Sequence, residues 1–371
     1  MLPSTPGDRR TRLDTVVFQF REPTAQGTNS MKPSHQLRWH PLLDEWVIIA
    51  AGSDTRPWSG AVSKVSQTRK PVHDPGCHLC PRVSRATGAT NPDYRGPFAF
   101  DNDFPALDST ASDIAAAPIR PPEHPLLASA PPLGRCRVVC WSERHDATLA
   151  SLANDEMRAV IQLWRGEFKA LATLPEVKQV LMFENKGEEI GTSNPHPHGQ
   201  IYATPFVTQI AKRMCRAQSL YAQESGGSLL QSLLAEPYIQ EHLLIDRNEH
   251  ASVIVPYAAR MPYETWVLPH RHVCTVAELS DNELLDMAAL HQRQMQRYDR
   301  LFRRSAPNIT LWHNAPVDNH PDNEHWCFHI TMLPPLRDPN KLKFLAGFET
   351  GSGNMVNPVQ PESAAAALRD T

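Results

Sequence analysis

The chain has 371 residues and a nearly balanced charge, with 37 Lys and Arg against 40 Asp and Glu and a formal net charge of -3 at pH 7. This balance argues against a nucleic-acid partner bound through a basic surface, and the length favours two lobes or a duplicated unit over a single core. No apolar run approaches the roughly 20 residues of a membrane span, and no secretory signal opens the chain. We therefore expect a soluble, cytoplasmic protein with no membrane partner.

Residues 1–35 carry no clear period, and their repeated Pro, Gly, Ser and Thr predict a disordered N-terminal arm. Met31 stands just before the patterned sequence begins. Either Met31 is the true start of the protein or the arm is a genuine extension, and the sequence leaves both open.

A close cysteine pair lies at Cys77 and Cys80, among seven cysteines in all. Two thiolates separated by two residues can bind one tetrahedral zinc ion. A redox pair is the alternative, but the thioredoxin-like βαβ context that it would need is missing. The odd total also fits reduced thiols and a metal better than disulfides.

An internal duplication organises the middle of the chain. The pattern RHxxTxAxLxxxE over residues 144–156 recurs over residues 271–283, and each copy runs into a helical pattern. The first helix has one apolar stripe, formed by Met157, Val160, Ile161, Trp164, Phe168 and Leu171. The second helix begins at a capping box of Ser280 and Glu283, and its stripe is formed by Leu284, Met287, Met295, Tyr298 and Phe302.

Strand-like runs flank both helices. They cover residues 138–141, 177–183, 200–203, 253–255, 265–268, 309–312 and 326–332. Short connections and separated strand and helix runs favour an α+β fold with a mostly antiparallel sheet over a doubly wound one.

The stretch NPHPHGQ, residues 194–200, is the most informative in the chain. Two prolines deny a helix and predict an extended strand, which would place His196, His198 and Gln200 on one face about 7 Å apart. A neutral imidazole can attack phosphorus and form a covalent intermediate, so His198 is a candidate nucleophile. The other ring nitrogen of His198 is expected to donate to a backbone carbonyl.

This histidine segment, preceded by FENKG at 183–187 and GTSN at 191–194, resembles the galactose-1-phosphate uridylyltransferase family, the transferase branch of the histidine triad superfamily. Further family-like segments follow one another in the expected order between about residues 36 and 350. They include WHPL at 39–42, RPW at 56–58, NPDY at 91–94 and DNDFPAL at 101–107.

The resemblance implies two histidine-triad-like units joined in a half-barrel sheet flanked by helices. The N-terminal unit would span residues 36–210, the degenerate C-terminal unit 211–350, and a tail 351–371. It also implies that Gln200 donates an amide hydrogen to a phosphoryl oxygen. The remaining zinc ligands would be His124 and His196, which with Cys77 and Cys80 make one closed, structural site.

The resemblance extends to substrate contacts, residue by residue. Those near the nucleoside would be Leu79, Asn102, Asp103 and Phe104. Those near the phosphates would be Arg56, Asn185, Gly191 and Ser193. Lys343, Phe344, Phe348 and Glu349 would contact the hexose from a neighbouring subunit, which implies a homodimer.

The second copy differs where chemistry is expected. If His329 matches His196, Thr331 takes the place of His198, whereas in an ungapped register His325 lies opposite His198; the pairing is open. His313, His325 and His329 are interpreted as hydrogen-bonded core histidines. Met214 and Thr331 stand where some family members have metal ligands, so a second, iron-type site is expected to be absent.

The resemblance favours transfer of UMP between UDP-glucose and galactose 1-phosphate, or a related hexose 1-phosphate, through a uridylyl-histidine. Two alternatives stay open: a nucleotide-sugar phosphorylase like ADP-glucose phosphorylase, and a zinc-stabilised nucleotide-binding protein without turnover. Ser53 replaces a family arginine, and Met355 replaces a hexose-contacting glutamine. The sugar and the base are therefore open.

Overall fold

A nine-stranded antiparallel sheet organises the chain in a computed structural model that describes residues 35–52, 70–108, 126–127 and 129–371. The strands are β1 Gln36–His40, β2 Glu45–Ile49, β3 Phe98–Asp101, β4 Arg135–Cys140, β5 Gln179–Lys186, β6 His198–Thr204, β7 Leu244–Arg247, β8 Ala251–Ile254, β9 Thr265–Pro269, β10 Asn308–His313, β11 His329–Leu333, β12 Leu336–Asp338, β13 Lys341–Leu342 and β14 Val356–Asn357. The helices are α1 Asn154–Ala172, α2 Gln209–Ser225, α3 Leu229–Ala235, α4 Asp281–Leu301, α5 Gly347–Ser352 and α6 Pro361–Arg369.

The large sheet is built from two halves that meet at its centre. The order is β3-β4-β6-β5-β10-β11-β9-β8-β7, and β5 pairs antiparallel with β10, with Phe183 opposite Leu311. Strands from the first half of the chain therefore lie on one side of this junction and those from the second half on the other. The α+β fold with an antiparallel sheet is confirmed. The domain boundaries at residues 210 and 350 stay a prediction.

Both predicted helices form beside this sheet with the expected buried faces. All six apolar positions predicted for α1 are buried, as are the five predicted for the second helix. The capping box of α4 is present, since Ser280 Oγ accepts from the Glu283 amide at 3.3 Å and Glu283 Oε2 accepts from the Ser280 amide at 2.8 Å. The Gln292 side chain on α4 donates to the carbonyls of Leu149 and Leu152, ahead of α1. The two copies thus pack against each other.

The C-terminal segment is packed rather than loose. Strand β14 pairs parallel with β2 and completes a small sheet of β1, β2 and β14. In α6, Ala365 and Leu368 are fully buried. The Arg38 guanidinium binds both carboxylate oxygens of Glu362 at 2.8 and 3.0 Å. The segment from residue 351 onward, which was expected to be a tail, therefore packs against β1 and β2 at the start of the described chain.

Helices α1 and α4 pack against one face of the large sheet. His198 and Gln200 lie on its other face. His198 lies opposite Cys140, and Gln200 lies opposite Val138 and Phe183. Residues that face each other across antiparallel strands share a face of the sheet. Within the described ranges, no helix combines the length and the apolar character needed to cross a bilayer.

The start of α4 gives a test of pH-dependent stability. Two hydrogen bonds from Arg271 at 2.7 and 2.9 Å hold the pKa of Glu283 down, to about 2 from 4.5. A carboxylate with a lowered pKa stabilises the fold fully above pH 4.5, and this stabilisation is lost as the pH falls through 2. Glu283→Ala should cost about 1–2 kcal/mol in urea unfolding at pH 7.

The difference between Glu283→Ala and the wild type should shrink steadily as the pH is lowered below 4.5. Glu156→Ala is the matched control, because Glu156 caps α1 by accepting from the Ala153 amide at 2.7 Å. It should cost about 0.5–1 kcal/mol. A Glu283→Ala penalty that stays constant with pH would contradict the assignment.

Candidate active site and metal cluster

The histidine segment, residues 194–200, joins the large sheet at His198, the candidate nucleophile. Strand β6 begins at His198 rather than at residue 194, so the prediction that the strand carries His196 on the same face was wrong. Asn194 Oδ1 accepts from the His196 amide at 2.9 Å, and the Trp141 amide donates to the Pro197 carbonyl at 3.0 Å. These two bonds hold residues 194–197, which lead into the strand. Pro195 and Pro197 have no N–H to donate, so the segment depends on its other backbone and side-chain groups for such bonds.

The His198 imidazole has one nitrogen committed to the backbone. His198 Nδ1 lies 2.8 Å from the carbonyl oxygen of His196, which accepts a hydrogen bond only if Nδ1 carries the proton. The expected bond to a backbone carbonyl is therefore present, and Nε2 keeps the lone pair. Burial lowers the pKa of His198, which favours the neutral, nucleophilic form.

Four buried side chains next to this strand form a cluster that could hold a metal ion. They are Cys77, Cys80, His145 and His196, and their ligand atoms all lie within 4.8 Å of one another. Cys80 Sγ lies 3.6 Å from His145 Nδ1 and 3.5 Å from His196 Nδ1. In a tetrahedron with zinc-type bonds, about 2.3 Å to sulfur and about 2.0–2.1 Å to nitrogen, that edge is about 3.6 Å. The four residues thus fit one tetrahedral ion.

Charge and outer contacts support the same interpretation. Burial raises the pKa of Cys80 to about 11, so a thiolate at this position needs a cation beside it. Burial lowers the pKa of His196 to about 4, which keeps the ring neutral and able to ligate. His196 Nε2 lies 3.0 Å from the Ser142 carbonyl, and His145 Nε2 lies 4.0 Å from an Asp74 carboxylate oxygen. Such outer partners orient metal-binding histidines.

His145 is the member of this cluster that the sequence interpretation missed. The expected fourth ligand, His124, lies outside the described residues, whereas His145 completes a set of four without it. The available signal was the duplicated pattern, in which His145 corresponds to His272. In the second copy His272 Nε2 lies 3.0 Å from the Trp326 carbonyl.

Of the residues expected around the nucleoside, Asn102, Asp103 and Phe104 directly follow β3, and Leu79 lies earlier in the chain. Leu79 and Phe98 pack against a buried cluster formed by Tyr94, Phe100, Val138 and Cys140. Phe98 lies opposite Cys140 and Phe100 opposite Val138, so both rings share the face of His198. The alternation of Phe98 and Phe100 along the strand was the sequence signal for this aromatic wall.

Asp103 is held by an arginine that the sequence interpretation did not name. Arg85 Nε donates to Asp103 at 2.9 Å, and the guanidinium lies 4.2 Å from the Phe100 ring centroid. The hydrogen bond from Arg85 lowers the pKa of Asp103. Asn102 Oδ1 accepts from the Phe104 amide at 3.0 Å, which makes a turn that leaves the Phe104 side chain 78% exposed.

Of the residues expected near the phosphates, Asn185 lies near the end of β5, and Gly191 and Ser193 lie between β5 and β6. The Asn185 carbonyl accepts from Thr192 Oγ1 at 2.8 Å. Gly191 adopts a left-handed φ of 80° and is exposed, as is Ser193. Lys70, which the sequence interpretation also missed, donates to the Pro195 carbonyl at 3.0 Å. Arg56 and Ser53 lie outside the described residues.

The residues expected to contact a hexose lie near the C-terminus. The ammonium of Lys343 pairs with the carboxylate of Glu349. The side chains of Phe344 and Phe348 are each 50% exposed. Whether this segment contacts a hexose in a neighbouring subunit stays a prediction.

The second copy repeats the histidine geometry at His329, with a pairing that differs from both of those considered. Strand β11 begins at His329, and His329 Nδ1 lies 2.9 Å from the Cys327 carbonyl, the same bond that His198 makes. His329 therefore corresponds to His198, and both pairings considered from the sequence were wrong. His329 and His313 are buried as predicted, but His325 ends a short 3-10 helix and is partly exposed. Cys327 takes the place of His196, and Thr331 that of Gln200.

The comparisons agree with this architecture. The family models for galactose-1-phosphate uridyl transferase match residues 26–208 with the N-terminal domain and 214–371 with the C-terminal domain. A galactose-1-phosphate uridylyltransferase from Haemophilus influenzae is 38% identical over 90% of this chain and 93% of that protein. One from Rattus norvegicus is 37% identical over 95% of this chain and 92% of that protein.

Solved structures with similar folds have lower sequence identity. An ADP-glucose phosphorylase from Arabidopsis thaliana superposes with a TM-score of 0.74 at 21% identity and covers 91% of this chain and 99% of that one. A uridylyltransferase superposes with a TM-score of 0.71 at 23% identity and covers 91% of this chain and 98% of that one. Identities in this range support the fold alone.

The antiparallel sheet, the duplicated histidine strand and the buried ligand cluster define an α+β protein built from two related halves, with a candidate metal site beside one histidine strand. Both family models, and relatives more than 30% identical over most of the chain, identify the family within this class. The chain belongs to the galactose-1-phosphate uridylyltransferase family.

The cluster predicts a metal-dependent fold. We expect about one metal ion per purified chain, and His145→Ala should weaken metal binding at least about 10-fold and lower the melting temperature, because it removes one of four ligands. Plasma mass spectrometry and calorimetry measure the two effects. His272→Ala is the matched control, since His272 holds the corresponding place in the second copy.

His124→Ala decides between the two candidate fourth ligands, and it should leave the metal content unchanged. Metal retained in His145→Ala but lost in His124→Ala would contradict the cluster assigned here.

Proposed function

We propose that this chain transfers UMP between UDP-glucose and galactose 1-phosphate, or a related hexose 1-phosphate, by double displacement at His198. The observation that carries the proposal is the hydrogen bond from His198 Nδ1 to the His196 carbonyl, which leaves Nε2 as the nucleophile. The family's N-terminal model covers this strand, and the relatives named above carry the corresponding activity in their names.

Two displacements complete the reaction without a net proton transfer. In the first, the Nε2 lone pair forms a bond to the α-phosphorus of UDP-glucose, and glucose 1-phosphate leaves with the electron pair of the broken phosphorus-oxygen bond. In the second, a phosphate oxygen of galactose 1-phosphate attacks the same phosphorus, and the nitrogen-phosphorus bond returns its electrons to Nε2. The covalent step divides one transfer between two weak nucleophiles into two easier ones.

Two neighbours stabilise the charges that develop. The His196 carbonyl accepts from Nδ1 while the ring becomes an imidazolium. Gln200, on the same face of β6, donates an amide hydrogen to a phosphoryl oxygen. Because an amide is not a proton-donating acid, Gln200 assists transfer without assisting hydrolysis by water.

We infer that the metal in the cluster is zinc and that its role is structural. Two thiolates and two imidazoles are a typical closed zinc ligand set, with no open position for substrate. His196 belongs to this set and lies two residues before His198, so the cluster fixes the start of the catalytic strand.

We also infer a cytoplasmic homodimer in which Lys343, Phe344 and Glu349 approach the hexose bound to the neighbouring subunit. The exposed Phe344 supports this arrangement. A phosphorylase acting on another nucleotide sugar is the second candidate. The sequence GFETGSGN at 347–354, followed by Met355, favours it, because this segment resembles the branch that includes ADP-glucose phosphorylases.

The covalent intermediate is the direct test. Wild-type protein mixed with UDP-glucose and quenched should gain one uridylyl group by mass spectrometry, stable in base and labile in acid. His198→Ala should gain none. His329→Asn is the matched control, because His329 makes the same backbone bond in the second copy, and it should still form the adduct.

Parallel reactions with ADP-glucose and with inorganic phosphate as acceptor separate the two candidate enzymes. If no donor yields an adduct in protein that is folded and metal-loaded, the mechanism is refuted and a binding role remains.

Gln200 gives a second, independent test. Gln200→Ala should slow UMP transfer about 10- to 100-fold, the effect of one hydrogen bond to a charged group. Gln200→His should raise the ratio of UDP-glucose hydrolysis to transfer, because an imidazolium supplies a proton. Thr331→Ala, the corresponding position in β11, should change neither rate. A Gln200→His enzyme with an unaltered ratio would contradict this role.

A further inference from the structure

Glu184 is a buried carboxyl that the reaction does not use directly. It lies on β5 with its side chain among residues of α1 and α4, on the face opposite His198, and it is 6% exposed. Its Oε1 accepts a hydrogen bond from Trp141 Nε1 at 3.0 Å, while Oε2 has no hydrogen-bond partner among the described residues. Burial raises the pKa of Glu184 to about 7, even though Lys186 acts to lower it.

Trp141 contacts the catalytic strand on both sides of His198. Its backbone amide donates to the carbonyl of Pro197 at 3.0 Å. A methyl group built on Gly199 would lie 2.7 Å from Trp141 Cη2 and 2.6 Å from Trp164 Cζ2. The indole of Trp141 therefore supports the backbone directly beneath the nucleophile, and only glycine fits between the ring and the strand.

The two indoles form a rigid platform. Trp141 and Trp164 stack with centroids 5.0 Å apart and planes inclined by 23°, and Trp164 stacks in turn on Trp312 at 5.8 Å. The N–H of a buried Trp usually has a hydrogen-bond partner, which together with close packing fixes the orientation of the ring. For Trp141 that partner is Glu184.

The surroundings of Glu184 allow little relaxation. The cavity beside it measures about 10 Å³, near the lower limit for a single water molecule, and is lined by Trp141, Trp164, Glu184 and His291 among others. Bulk water therefore has no room to replace the carboxyl as the acceptor for Trp141 Nε1.

We propose that Glu184 is a positioning residue for His198: it fixes the tilt of the Trp141 indole, which with Trp164 sets the height of Gly199 and so the direction of His198 Nε2. This inference rests on the proposed function of His198 as a nucleophile. No bond between Glu184 and the substrate is involved, so its effect appears in the rate of attack and not in substrate binding.

Two substitutions at Glu184 separate positioning from a need for charge. Glu184→Gln keeps an acceptor oxygen for Trp141 Nε1 and should retain transfer within about 2-fold, whereas Glu184→Leu removes the acceptor. In Glu184→Leu we expect kcat to fall about 10-fold with KM for UDP-glucose changed by less than about 3-fold, because a displaced nucleophile loses its attack geometry.

A second readout needs no substrate. Carbethoxylation of His198 by diethyl pyrocarbonate, followed by peptide mass spectrometry, reports the access and mobility of the ring. Its rate should rise about 3-fold in Glu184→Leu and stay at the wild-type value in Glu184→Gln, since only the former loses the hydrogen bond.

The second half of the chain supplies a matched control. Glu264 is also buried, and its Oε1 accepts from Trp266 Nε1 at 2.9 Å. Glu264→Leu should lower the melting temperature without changing kcat or the carbethoxylation rate of His198. Circular dichroism and metal content establish that each variant is folded before the rates are compared.

Three outcomes would overturn the proposal: unchanged kcat and labelling in Glu184→Leu, an equal loss in Glu184→Gln, or a loss confined to KM. The labelling comparison also separates this inference from the proposed function. If the wild type forms no uridylyl adduct, the function fails, and the carbethoxylation rates still decide whether Glu184 positions His198.

Discussion

The candidate site depends on the hydrogen bond from His198 Nδ1 to the His196 carbonyl. This bond links the candidate nucleophile to a member of the cluster that could hold a metal ion, two residues earlier in the chain. The two ends of this short segment have different environments. His196 is 1% exposed and belongs to the cluster, whereas His198 starts a strand with a half-open face. A change at the cluster therefore reaches the reacting nitrogen through backbone geometry, with little side-chain freedom between them.

The second copy shows that this backbone geometry is not sufficient for chemistry. His329 makes the same bond to Cys327, but it is fully buried, and its ring stacks on His313 at 4.5 Å. Burial lowers the pKa of His329 to about 4, and Nε2 has no hydrogen-bond partner among the described residues. An imidazole in this environment is neutral but has no access to a phosphate. The duplication thus uses one backbone arrangement twice, and of the two histidines His198 is the less buried.

The sequence was sufficient for local structure and for the hydrogen bond between His198 Nδ1 and a backbone carbonyl. Helical stripes such as Met157 to Leu171 carry their own period, and the capping box at Ser280 is encoded within four residues. Contacts between distant segments could not be obtained in this way. His145 joins the cluster only because the turn after β4 returns beside Cys80, and no spacing within the sequence specifies that approach. The pairing of His329 with His198 was missed for the same reason, since the connection before β11 is longer than the one before β6.

Charged side chains are distributed unevenly across the candidate site. Where the nucleoside is proposed to bind, Asp103 is paired with Arg85, and the neighbouring rings of Phe98 and Phe100 are uncharged. An uncharged surface of this kind suits a neutral base. On the phosphate side, Lys70 lies against the Pro195 carbonyl at the start of the histidine segment. In the proposed reaction, this placement puts a positive charge near the start of the histidine segment, while the neutral imidazole of His198 gains positive charge only as the new bond forms.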